Sequence, residues 1–355
     1  MAPMTRSHSP NGVPGREVAD YYRRRAEGGT GLIITEGVAI DHPTAVDDPN
    51  VPRLHGDAAL DGWRAVVEAV HSVGGKIVPQ LWHVGPLWGA MSAVDPVLKP
   101  MRPSGDWGDL GVTSYPDSYV AEATKPTSPM TEEDIADVIA AYSRSAANAI
   151  EIGFDGVAIH GGHGYLLDAF LWAGTNKRDD AWGGDIHRRA AFPGAVVSAV
   201  RSAVDDAPIF FRFSQHKQQN YEARIAETSD ELGIILNILV DAGVDVFDAS
   251  IRRFDHPAFV GSDLSLAGWA KSVTGTPTMA VGSVGIGKSL RDSRIEGHAP
   301  RLDNISDVER RLAAAEFDLI AIGRLHLADP FLARTLREGR QLPTFSHAVH
   351  EAELI

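Results

Sequence analysis

The chain has 355 residues, 44% of them hydrophobic, with 47 acidic and 33 basic side chains for a formal net charge of -14 and no cysteine. The missing cysteine excludes disulfides, thiolate nucleophiles, cysteine zinc sites and cysteine-held iron–sulfur clusters. The acidic balance argues against nucleic acid and anionic membrane as partners, so a phosphate-bearing ligand would need locally placed arginines and backbone N–H groups.

Apolar strand-like runs alternate with helical patterns from end to end. Strands are predicted over 1–5, 31–37, 76–83, 156–160, 208–214, 244–250, 278–284 and 318–324. Helices are predicted over 16–26, 59–73, 132–152, 185–204, 229–242, 266–273, 306–316 and 330–338. Thr131 before Glu132-Glu133-Asp134 has the pattern of an N-cap with acidic residues in the first turn, and Ser306 before Asp307 looks similar. Gly153, Gly243 and Gly339 stand where helices need a left-handed terminating residue. Eight βα units predict an α/β fold of the (β/α)8 TIM-barrel type, with residues 1–355 as one domain. An open doubly wound sheet is the alternative, but no G-x-G-x-x-G follows an early strand.

Two stretches break the rhythm. Residues 84–130, rich in Pro, Gly, Ser and Trp, form a long insert after the third strand, and residues 285–304 a polar one after the seventh. Both follow strand C-termini, so both are expected on the catalytic face, the first as a loop or cap over the site. The first strand starts at residue 1, which predicts either a shortened N-terminus with no preceding segment to cover the barrel floor or a true start that lies upstream. No run approaches the ~18 consecutive apolar residues of a membrane span, and no signal-peptide core is present, which predicts a cytoplasmic protein.

In a barrel the C-terminal strand ends converge on one site. Here they supply Ala2-Pro3-Met4-Thr5, then Gly37, then Gln80 with Trp82 and His83. They continue with His160, His163 and Tyr165, then Arg212, then Gly282-Ser283 and Gly323-Arg324. His160 and His163 can each donate a hydrogen bond to one oxygen, and Tyr165 can release a proton: the groups needed to polarise a carbonyl and protonate the carbon beside it. Gln80 and Arg212 suit a planar heterocycle bearing carbonyls. The last two strand ends are where barrels commonly bind phosphate, and Arg324 can pair with it bidentately. Each residue also has a plainer role: a barrel-end glycine as a turn, Arg212 as a buried ion-pair partner, Gln80 or His83 as satisfied core groups. The His160/His163 pair also fits half of a metal site, but no third ligand is evident. Trp63 and Trp269 fall on helical patterns and are expected to pack. Trp82, Trp88 and Trp107 are expected to wall an aromatic pocket.

Seven motifs in chain order carry a family resemblance. They are Ala2-Pro3-Met4-Thr5-Arg6, Ile34-Thr35-Glu36-Gly37, Gln80-Leu81-Trp82-His83, His160-Gly161-Gly162-His163-Gly164-Tyr165-Leu166-Leu167, Asn176-Lys177-Arg178-Asp179-Asp180-Ala181-Trp182-Gly183-Gly184, Val281-Gly282-Ser283-Val284 and Ile322-Gly323-Arg324. With them the chain resembles the old yellow enzyme family of FMN-dependent ene reductases, in its bacterial NADH:flavin oxidoreductase branch. The resemblance implies that Ala2, Pro3, Met4 and Thr5 line the flavin, that Gly37 allows its close approach, and that Gln80 binds its pyrimidine edge. It further implies that Arg212 neutralises charge on the reduced ring, and that Gly282, Ser283, Gly323 and Arg324 hold the phosphate. His160 and His163 would grip the substrate oxygen, and Tyr165 would protonate the α-carbon of an α,β-unsaturated carbonyl compound, with NADH or NADPH as reductant. Homo-oligomers occur in the family. Ser7 stands where some relatives carry a substrate-contacting tyrosine, which implies a more open wall. A cluster-free amine demethylase or dehydrogenase on the same scaffold, and a non-redox phosphate-binding barrel, are the competing functions.

Overall fold

The computed structural model describes residues 1–90 and 97–354. The main sheet holds seven strands: β1 (Ile33–Ala39), β2 (Ile77–Trp82), β3 (Val157–His160), β4 (Ile209–Ser214), β5 (Val246–Ser250), β6 (Thr278–Val281) and β8 (Leu319–Ala321). They pair in that order, all parallel. Two short strands, β7 (His298–Ala299) and β9 (Phe345–Ser346), form a separate antiparallel pair. Each strand of the main sheet coincides with a predicted one. The predicted strand over 1–5 is corrected: it is not a regular strand. Only its first two residues bond to the sheet. Met1 O accepts from Ile34 N (3.2 Å), and Ala2 N donates to Ile322 O (3.0 Å). Pro3 has no N–H to continue a ladder.

The side-chain period of two explains both the core and the site. Outward residues such as Ile33, Ile77, Val157, Ile159, Phe211 and Phe247 pack in the large core. Inward residues Ile34, Val78, Ala158, Phe210, Met279 and Ala321 pack with Ala2 in a small cluster inside the sheet. Two residues further along β2, β3 and β4 stand Gln80, His160 and Arg212. Polar groups thus sit on an apolar plug.

The helices match their predicted spans closely, for example Arg16–Glu27, Glu132–Glu151 and Ser229–Ala242. Thr131 forms a capping box with Asp134. Gly153, Gly243 and Gly339 all have positive φ. The cap predicted at Ser306 is corrected: the helix is Ile305–Ala313, and Asn304 stands at its N-cap with no side-chain capping bond. The inserts are not structureless. Residues 84–130 contain the 3-10 turn Gly85–Leu87 and the helix Asp117–Ala123, and residues 285–304 contain the helix Leu290–Glu296 and strand β7. Elements this short carry too few residues to show a period. Part of the first insert, 91–96, lies outside the described residues.

Candidate active site

A cavity of about 480 Å3 opens at the C-terminal ends of the strands. Its walls include Ala2, Pro3, Met4, Thr5, Gly37, Gln80, Trp82, His160, His163, Tyr165, Arg212, Gly282, Ser283, Gly323 and Arg324. Every strand-end residue singled out in the sequence, except His83, therefore faces one space. His83 is fully buried: its Nδ1 accepts from Gly85 N (3.1 Å) and its Nε2 lies 3.2 Å from His42 Nδ1. It is a satisfied core histidine. Trp88 and Trp107 are also corrected. Trp88 packs with Val51, Trp82 and Val84, and Trp107 with Leu87 and Ala123, so both anchor the insert rather than wall the cavity.

His160, His163, Tyr165 and Trp82 form one aromatic cluster. The ring centroids of His160 lie 5.2 Å from His163, 4.7 Å from Tyr165 and 6.4 Å from Trp82. His160 Nδ1 accepts from Gly162 N at 3.4 Å, which leaves the ring proton on Nε2. His163 Nε2 lies 2.9 Å from Ser250 Oγ, so a proton donated by the serine leaves the His163 proton on Nδ1. Burial holds both imidazoles well below their ordinary range, reinforced by Arg212 beside His160 and chiefly by His216 beside His163. Each ring therefore acts as a neutral donor. Burial raises Tyr165, against the opposing effect of the hydrogen bond from Gln218, so the phenol keeps its proton.

The backbone presenting this cluster is constrained. His163 has φ 64, a left-handed conformation that is uncommon without glycine. Its N–H donates to Ser214 Oγ (2.8 Å) and its carbonyl accepts from Gln218 N (3.1 Å). The next residue, Gly164, has φ 85, donates to Asp168 Oδ2 (2.6 Å), and would drive a Cβ to within 1.8 Å of Gln219 Oε1. Gly37 serves a nearer neighbour than any ligand: a Cβ there would lie 2.4 Å from Trp82 Cε3, so the glycine makes room for the indole.

The sequence reading missed Asp248. It stands opposite Arg212 in the β4–β5 register, and Arg212 Nε donates to its Oδ2 at 2.6 Å with both side chains buried. The signal was present: Phe247 and Ala249 pack outward, so Asp248 and Ser250 must point inward. Ion pairing and site membership are therefore compatible for Arg212. The loop residues Tyr115, His216, Gln218, Tyr221 and Arg252 also line the cavity and carried no period that could reveal them.

Among the described residues, the buried wall nitrogens without a partner include Gln80 Nε2 and Arg212 Nη2. Buried polar groups are normally satisfied, so these donors fit a ligand with acceptors on a flat edge. At the far end Arg324 donates to Ser283 Oγ (3.0 Å), Ser293 Oγ (2.9 Å) and the carbonyls of Lys288 (2.9 Å) and Ser289 (3.3 Å). Burial lowers its pKa to about 10, with Glu351 opposing the shift. A guanidinium bonded only to neutral oxygens suits an anion. Flat-edge donors at one end and this cation at the other match the two parts of FMN, and the volume is in the ~300–1,000 Å3 range of ligand sites. Among the described residues, no group of three or more His, Asp or Glu could hold a metal ion, and no helix is long and apolar enough to cross a membrane.

Comparison with known proteins agrees with this geometry. Residues 1–343 match the NADH:flavin oxidoreductase / NADH oxidase family. The chain is 31% identical over 346 residues to flavin oxidoreductase hxnT of Emericella nidulans, covering 95% of this chain and 84% of that protein. It is 38% identical over 218 residues to 12-oxophytodienoate reductase 7 of Oryza sativa subsp. japonica, covering 60% of this chain and 54% of that one. The solved structure of morphinone reductase in complex with tetrahydroNAD matches with a TM-score of 0.76 at 26% identity, over 96% of this chain and 86% of that chain.

Proposed function

Because the chain belongs to the NADH:flavin oxidoreductase / NADH oxidase family, whose members are FMN-dependent oxidoreductases, we propose that it is an ene reductase, reducing the activated C=C bond of α,β-unsaturated carbonyl compounds with NADH or NADPH. The observation that carries this is the His160–His163–Tyr165 cluster on the same cavity as the unpartnered donors of Gln80 and Arg212. Similarity to reductases named for oxo compounds supports it.

FMN, when bound, would supply the hydride chemistry that links the nicotinamide to the substrate. Gln80 and Arg212 would hold its polar edge, Ala2, Pro3, Met4 and Thr5 would line it, and Gly282, Ser283, Gly323 and Arg324 would hold its phosphate. The Asp248 carboxylate keeps Arg212 oriented and offsets its charge. His160 Nε2–H and His163 Nδ1–H donate to the substrate carbonyl oxygen, drawing electron density from the double bond and holding the enolate oxygen as charge develops. Tyr165 gives its phenolic proton to the α-carbon, and Trp82 forms an aromatic wall beside it. The 84–130 insert caps the site through Ala90 and Tyr115. The scaffold is read as a TIM-like barrel of seven parallel strands, with Met1 and Ala2 bonding to Ile34 and Ile322 on either side of the seam between β1 and β8.

Anaerobic titration with NADH and NADPH, followed by a panel of enones, tests the proposal. Purified protein is expected to be yellow and to be reoxidised by enones. Tyr165→Phe should slow enone reduction by roughly 10²–10⁴-fold while reduction of the flavin by NAD(P)H persists. Reoxidation by no enone, or equal loss in both half-reactions of the variant, would contradict the assignment.

A further inference from the structure

The mechanism above leaves one half-buried arrangement unused. Tyr115, from the insert, donates its hydroxyl proton to Gln218 Oε1 at 2.8 Å. Gln218 Nε2 in turn donates to the Tyr165 oxygen at 2.7 Å. All three side chains line the cavity. Resting on the reading of Tyr165 as the proton donor, we infer that Gln218 is a positioning residue that aims the Tyr165 proton at the substrate, with its own amide held in the required sense by Tyr115.

The direction of the two hydrogen bonds matters. An amide has one accepting and one donating end. With Oε1 occupied by the Tyr115 hydroxyl, only the NH2 end faces Tyr165. The Tyr165 oxygen then accepts, and its own O–H remains free for the substrate. The opposite sense would place Oε1 against Tyr165 and hold the proton away from the α-carbon. It would also leave the Tyr115 hydroxyl without the acceptor it has here. Burial raises Tyr115 well above the ordinary phenol range, so it remains a donor at any working pH. Its ring sits in an apolar cluster with Leu87, Trp107, Ala123 and Tyr119.

The same contact assists the transfer itself. When Tyr165 protonates the α-carbon, its O–H bond breaks, and a C–H bond forms with the electron pair of the enolate. A phenolate remains until it regains a proton from water. The Gln218 N–H already points at that oxygen, and a hydrogen bond to a charged acceptor is stronger than one to a neutral one. The bond therefore strengthens as the proton departs, as transition-state stabilisation requires.

Gln218 is held for this task from both sides. Its N–H donates to the carbonyl of His163, the substrate-oxygen residue, at 3.1 Å. Its carbonyl accepts from Thr113 Oγ1 of the insert at 2.7 Å. Tyr221 N donates to Val112 O at 2.8 Å, so the segment carrying Thr113 and Tyr115 is bonded to the loop after β4 on either side of the pair. The insert thus reaches the proton donor through one amide.

The test is single-turnover reoxidation of NADPH-reduced holoenzyme by 2-cyclohexen-1-one and by 1,4-benzoquinone, whose reduction forms no C–H bond. Gln218→Met should slow the cyclohexenone step at least ten-fold more than the benzoquinone step, the size expected for a lost hydrogen bond to a charged group. Gln218→Glu keeps the length of the side chain and offers the Tyr165 proton an acceptor, so it should be at least as damaging and guards against a misfolded Met variant. In a Tyr165→Phe background, Gln218→Met should add less than about two-fold, since the group it positions is gone. Equal slowing with both acceptors, or full multiplication of the two losses, would overturn the inference and leave Tyr165 as donor. A Tyr165→Phe enzyme with an unaltered cyclohexenone step would overturn the donor assignment and this inference with it.

Discussion

His160 and His163 are enclosed beside Arg212 and His216, cationic or protonatable neighbours that would oppose a second positive charge. They are held neutral, so the oxygen grip proposed for them would rest on hydrogen bonds and not on ion pairing. Phenols, which carry one oxygen on a flat ring, test this directly. The long-wavelength absorption that phenols produce with bound FMN should vanish in His160→Ala/His163→Ala, in a spectrophotometric titration. Persistence of the band would remove the oxygen clamp. These two histidines were readable because they end an apolar strand. Gln218 and Tyr115 were not: they are 103 positions apart, both in loops, and only the packing of the insert brings them together. Asp248 was readable in principle, from the alternation of Val246, Asp248 and Ser250 with Phe247 and Ala249 on β5.

The loop after β3 carries the proposed catalytic groups, and the loop after β4 is bonded to it. Lys217 donates to Asp168 Oδ1 at 2.9 Å, with both side chains fully buried, while Asp168 Oδ2 accepts from Gly164 between His163 and Tyr165. Lys217 also donates to the carbonyls of Gln215 (2.8 Å) and Ser214 (3.3 Å). Burial raises Asp168 to about 6 even against the Lys217 charge, so the carboxyl is ionised at neutral pH only with that partner's help. Removing one member of a buried pair strands the other. Lys217→Met should therefore cost about 3–5 kcal/mol in urea or guanidinium unfolding, and Lys217→Met/Asp168→Asn should recover part of it, since an amide oxygen still accepts from Gly164. A loss below about 1 kcal/mol would show that the pair is not a structural anchor. The loops themselves were legible in the sequence as glycine-rich breaks after strands, but the lysine–carboxylate link between them was not, because no local pattern joins positions 49 residues apart.

The whole molecule encloses titratable groups of two opposing kinds, and their balance sets its response to acid. His83, His160, His163 and His326 are held well below their ordinary range, and His216 falls to about 3, burial being the largest cause in each case. For each, the unfolded chain binds a proton near pH 6.5 that the folded one refuses, so stability is lost as pH falls below 6.5. Glu36 is raised to about 7 and Asp168 to about 6, and Asp248 is also raised, again with burial first. These carboxyls work in the other direction: the folded state keeps protons that the unfolded state has released, so stability falls as pH rises from about 4 through 7. Below 6.5 these five histidines, joined by His42 and His55, which burial also lowers, oppose three carboxyls. A net decline on acidification is expected, as a falling Tm between pH 7 and pH 5. His83 separates this account from general charge repulsion, because it lies outside the cavity and, among the described residues, its ring bonds only to Gly85, His42 and the distant Thr44 hydroxyl (3.4 Å). His83→Gln lowers stability at every pH through lost packing, yet it removes one group that must take up a proton on unfolding. The slope of its unfolding free energy between pH 6.5 and pH 5 should therefore be shallower than that of the native chain by up to about 1.4 kcal/mol per pH unit. Parallel slopes in calorimetry would mean that His83 protonates freely in the folded state, and that the enclosure which also keeps His160 and His163 neutral is weaker than their burial implies.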